Sequence, residues 1–80
     1  MHDKPYQPIA CVNYELFEVA ILRKRLLHLV WSEDNVIYDQ TVTPVNLETK
    51  QGEEFLILRD AQGASHRVRL DRIRHVTEAA

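Results

Sequence analysis

The chain has 80 residues, a formal net charge of −2 and a single cysteine, Cys11. That length supports one domain with one core, because neither half of a split chain would bury enough surface to offset its folding entropy. A lone thiol excludes an intramolecular disulfide, so apolar packing must hold the fold together. No run approaches the roughly 20 apolar residues of a membrane-spanning helix. The opening Met1-His2-Asp3-Lys4-Pro5 lacks the basic start and apolar stretch of a signal peptide, and the expected location is the cytoplasm.

In chain order, residues 1–10 read as extended, since Pro5 and Pro8 disfavour helix in the residues before them. A helix is expected over 13–24, capped by Asn13, with Glu15 in its first turn and basic residues Arg23 and Lys24 at its end. Leu16, Phe17, Ala20 and Ile21 fall on one face at about 100° per residue, which leaves Glu15 and Glu18 on the other. Strands are expected over 26–77. Leu26 to Trp31, interrupted only by His28, reads as a strand covered on both sides, with the helix as one cover. Ser32 to Asn35 is a turn cluster and Val36 to Thr43 a returning strand that Pro44 closes, followed by polar loop from Asn46 to Gly52. Phe55 to Arg59 and Ser65 to Leu70 form a hairpin about Asp60-Ala61-Gln62-Gly63. In its second arm, Val68 and Leu70 point inward and Arg67 and Arg69 outward. Asp71-Arg72 makes a sharp junction before a last strand, Ile73 to Thr77, and the tail from Glu78 is expected to fray. One helix and five short antiparallel strands give a mainly β, α+β class. A strongly bent, nearly closed sheet of the Sm-like barrel type spares such strands two open edges.

Charge is distributed unevenly. Arg23-Lys24-Arg25 is basic, the stretch from Glu33 to Asp60 is acidic, and Arg67, Arg69, Arg72 and Arg74 form a second basic run. The near-neutral total is unlike that of a dedicated nucleic-acid binder. Catalytic and metal patterns are missing from the sequence. His2, His28, His66 and His75 share no ligand spacing, Ser32 and Ser65 occupy no nucleophile motif, and Gly52 and Gly63 form no phosphate loop. No cofactor, metal or catalytic residue is therefore expected. An RNA-binding module using the four carboxy-terminal arginines is the alternative. Against it, Arg67 and Arg69 are expected to pair with acids such as Glu53 or Asp39, and Trp31, Tyr38 and Phe55 to be drawn into the core.

Tyr6-Gln7-Pro8-Ile9-x-Cys11-x-x-Tyr14, followed by Glu18 and Ala20, and Arg69-Leu70-Asp71-Arg72-Ile73 near the end resemble the Rof (YaeO) family of Rho-binding antiterminators. The likeness extends over nearly the whole chain as one helix and then strands, with the middle matching in pattern only. It implies an Sm-like fold and a bacterial, non-enzymatic protein. Such a protein docks on the Rho hexamer near the sites that capture nascent RNA, so that RNA is excluded and Rho-dependent termination is inhibited. The partner-binding residues it implies are Tyr6, Gln7, Asn13, Tyr14, Glu15, Glu18 and Lys50. In that reading the carboxylates stand in for phosphates, and the tyrosines supply aromatic contact area. Two departures stand out: Val12-Asn13 occupies a place where the family carries more acids, and the loop around Lys50-Gln51 differs in length.

Overall fold

The computed structural model describes residues 11–79, and side chains from Tyr14 onward. A helix, α1 (Cys11–Arg23), precedes five strands: β1 (Leu27–Glu33), β2 (Val36–Lys50), β3 (Glu53–Arg59), β4 (Ser65–Arg69) and β5 (Ile73–Glu78). A 3-10 turn, Leu70–Arg72, links the last two. The class is mainly β, with one helix and one antiparallel sheet in the order β4-β3-β2-β1-β5.

The helix buries Phe17 and Ala20 and half-buries Leu16 and Ile21, the face that its apolar period marks. It is already formed at Cys11, so Asn13 lies inside the first turn rather than capping it, and Glu15 falls just past that turn. Its end is a Schellman motif. The Arg25 N–H donates to the Ala20 carbonyl at 2.9 Å and the Lys24 N–H to the Ile21 carbonyl at 3.3 Å. Lys24 takes the left-handed residue of that motif, at φ 56°. The helix packs chiefly on β2 rather than covering β1. Burial in β1 accordingly alternates: Leu27, Leu29 and Trp31 are buried, while His28, Val30 and Ser32 are only half-buried.

Two hairpins turn on two residues each. Asp34-Asn35 (φ 51° and 65°) and Gln51-Gly52 (φ 54° and 79°) put both turn residues at positive φ, as a type I′ turn requires. The expected stop at Pro44 and the polar loop after it are both replaced by strand. β2 runs unbroken for 15 residues, pairing first with β1 (Val36 to Val42) and then with β3 (Thr43 to Lys50). A register shift between Pro44 and Asn46 leaves Val45 as the extra, exposed residue while Pro44 stays buried opposite Leu58. A bulge tolerates proline and bends the strand that carries it. The core shows the bend. Leu27, Leu29, Trp31 and Val42 from one end of the sheet share a single cluster with Leu56, Leu58, Val68 and Leu70 from the other, closed by Phe17 and Ala20. The sheet itself remains open, with β4 and β5 as its two edges.

Candidate protein-docking site

The solvent side of α1 carries Glu15, Glu18, Val19 and Leu22, all exposed. Spacings of three, four and seven residues place them on adjoining turns of one face. Neither carboxylate makes an ion pair among the described residues. Val19 is 42% and Leu22 81% exposed, the latter being the most exposed large apolar residue described.

Tyr14 lies one turn before Glu18, half-buried against the core. Partial burial pushes its phenol above the ordinary tyrosine value, and the negative charges of Glu54 and then Glu18 add to that. The phenol thus lies at an acidic corner of the surface. Glu54 reaches this corner because the core face of β3 runs Leu58, Leu56, Glu54, and the last of the three passes beyond the apolar interior. Among the sequence-expected residues, Tyr14, Glu15 and Glu18 are thus brought together. Lys50 is exposed at the end of β2, on the rung opposite Glu53, one residue beyond the Thr49–Glu54 rung. Strand alternation turns it to the sheet face away from Glu54. Tyr6 and Gln7 lie outside the described residues, and Asn13 is placed by its backbone only. Glu54, Val19 and Leu22 were missed by the sequence reading. The signal for Leu22 was present, since it falls on the same helical face as Glu15.

The second charged region behaves differently. Arg69 keeps to the outer face that alternation gives it, on the rung opposite Phe55, yet it is only 8% exposed. Its Nε and one terminal nitrogen donate to the two oxygens of Asp71 at 2.7 and 2.9 Å, and the other terminal nitrogen donates to Glu53 at 3.3 Å. Arg67 faces outward too. Its Nε is 3.2 Å from Glu48, and its guanidinium lies 4.3 Å above the Phe55 ring. Pairing with Glu53 holds as expected, whereas Asp39 is engaged by His28 instead.

His66, expected to be exposed, is half-buried. It lies edge-on to Trp31 and bonds Asp60 at 2.7 Å. Asp60 also accepts the amides of Gln62 and Ala64, each at 2.9 Å, which ties the β3–β4 turn. The His66 hydrogen bond, the Ala64 amide and the Gln62 amide hold its carboxyl below the usual carboxylate range. The tail is held as well. Glu78 belongs to β5 and receives Arg25 at 3.1 Å, and the Ala79 amide donates to Leu26.

A cleft of about 240 Å³ opens beside edge strand β4, between Phe55, Arg67 and Arg69 on one wall and Ser32 to Asp34 on another. Trp31 lines its floor, stacked on Tyr38 with ring centroids 5.1 Å apart. The indole Nε1 meets no hydrogen-bond partner among the described residues and has essentially no accessible surface, so nothing seated in the cleft can reach it. Among the described residues no three His, Cys, Asp or Glu side chains converge as metal ligands, and no helix is long and apolar enough to cross a membrane.

No family model matches the chain, and no curated protein matches it. Among solved structures it is similar to proteasome accessory factor B/C (PafBC) of Arthrobacter aurescens, with a TM-score of 0.77 and 18% sequence identity. The match covers 90% of this chain and 12% of that one, so the chain spans about an eighth of that protein's length. At this identity the likeness shows a shared fold and nothing further.

Proposed function

We propose that the chain binds the transcription termination factor Rho near its primary RNA-binding site, and inhibits Rho-dependent termination by keeping RNA from loading. The observation that carries this reading is the outer face of α1, where Glu15 and Glu18 stand exposed without an ion-pair partner among the described residues, beside the half-buried Tyr14. Unpaired carboxylates at a rigid surface suit a cationic site that otherwise holds phosphates. Tyr14, fixed at its base by the core, adds contact area at little entropic cost. The amino-terminal string around Tyr6 and Tyr14 adds the family resemblance described above. The scaffold is read as Sm-like: a short helix laid on a five-stranded sheet whose second strand bends at Pro44 and serves both halves.

Purified Rho, a labelled cytosine-rich RNA and increasing amounts of this protein test the proposal. RNA should be displaced as the protein saturates Rho. Unchanged RNA binding at saturation rejects the reading. The Glu15→Lys, Glu18→Lys double variant is expected to lose at least tenfold in Rho affinity at low salt, by reversing two charges that lie within a screening length of the site.

A further inference from the structure

An acidic patch alone makes a docking face that dissolves in salt, because exposed charge pairs are screened beyond about 10 Å at 0.1 M ionic strength. The outer face of α1 has a second component. Val19 and Leu22 occupy the turns directly after Glu15 and Glu18, and Leu22 is 81% exposed. One exposed leucine is ordinary. Here, however, it continues an acidic face and is followed at once by charges of the other sign. Arg23 and Lys24 are exposed and make no ion pair among the described residues, while Arg25 is held by Glu78. Along α1 the outer surface thus passes from anionic to apolar to cationic within about 13 Å, at 1.5 Å per residue from Glu15.

Resting on the Rho reading above, we propose that Leu22, with Val19 beside it, is the apolar anchor of the docking face. The surface it meets on the partner is an apolar hollow that borders a basic patch. The charge order fixes the direction of docking. Glu15 and Glu18 turn toward the partner's cations, Leu22 seats at their border, and Arg23 and Lys24 stay outside, because a basic site repels them. Anchor and acids then divide the work. The acids speed encounter and weaken with salt, while the anchor contributes an apolar contact that salt leaves intact.

The test measures Rho binding by the intact chain, its Leu22→Gln variant and its Glu18→Gln variant, each at low and at high salt, with sedimentation run alongside. Leu22→Gln should lower affinity about tenfold at both salt levels, the effect of withholding one leucine from an apolar contact. Glu18→Gln should weaken binding at low salt and converge on the parent at high salt. The denaturation midpoint of Leu22→Gln should match the parent, since the side chain touches little of the fold. Equal affinity of Leu22→Gln and parent at both salt levels overturns the anchor while leaving the Rho reading in place. A self-association of the parent that Leu22→Gln abolishes also overturns it, by showing a second copy as the occupant. Failure of the parent itself to bind Rho removes the Rho reading, and the anchor falls with it.

Discussion

The outer face of α1 and the arginine-rich strand β4 look alike in sequence, each a short segment dense in charge, yet the fold treats them in opposite ways. In β4 and the turn after it the charges are turned on one another. Arg69 is gripped by Asp71 and Glu53, Arg67 by Glu48 and the Phe55 ring, and His66 by Asp60. On α1, Glu15 and Glu18 meet nothing of opposite sign among the described residues. Charge that is compensated internally stabilises and orients the chain; charge left uncompensated is available to a partner. Counting charges does not separate the two regions; what each charge is paired with does.

The sharpest way to break this contrast is to remove one member of the buried set. Asp71→Asn should cost about 3 kcal/mol of stability in urea denaturation, because it strips the guanidinium of Arg69 of its bidentate partner while leaving the cation buried. The Glu15→Lys, Glu18→Lys pair, which changes more charge, should stay within about 0.5 kcal/mol of the parent in the same measurement, as expected for exposed positions. A loss of 2 kcal/mol or more from the helix pair would mean that those acids belong to the fold.

Replacing Lys24 by glycine should stabilise the protein by up to about 1 kcal/mol, since glycine takes the left-handed end of α1 without the steric cost that lysine bears. An unchanged urea midpoint would remove the strain argument. Smaller at neutral pH is the effect of Asp60. Its folded value lies below that of the unfolded chain, so its contribution is complete above the ordinary carboxylate value of about 3.9 and is lost as pH falls through the depressed folded value. The protection of the Gln62 and Ala64 amides, taken as exchange relative to the intrinsic rate at each pH, should therefore fall only in acid, and Asp60→Asn should abolish that acid-dependent loss of protection.

The helix was legible because a single 3.6-residue period selects Phe17 and Ala20 for the core, and the hairpin at Asp60 to Gly63 because a glycine at positive φ follows an aspartate that can tie the turn. Pro44 misled for a physical reason. Proline removes a ladder donor and ordinarily ends a central strand, but a bulge beside it supplies a position where that donor is not needed. Alternation places Arg69 on the outer face with Arg67 but does not report its burial: Asp71, two residues on in the 3-10 turn, and Glu53 close over the guanidinium. The pair Arg69-x-Asp71 was visible in the sequence; its role depended on a turn that periodicity does not report. On α1, the acids were legible as an outward face, but Leu22, which lies between them and the basic helix end, was not singled out. The part played by Glu54 depends on how far β3 extends past the core, a tertiary fact.

An open sheet also has a bearing on how the molecule behaves in a crowd. Among the described residues, β4 and β5 each end the ladder with a row of backbone amides and carbonyls that no neighbouring strand takes up. Any extended chain that drifts alongside finds a ready template there. Arg74, exposed on the β5 rim, is a charged edge residue of the kind that discourages such pairing. The short length of both rims, five and six residues, limits what an intruder gains by sticking.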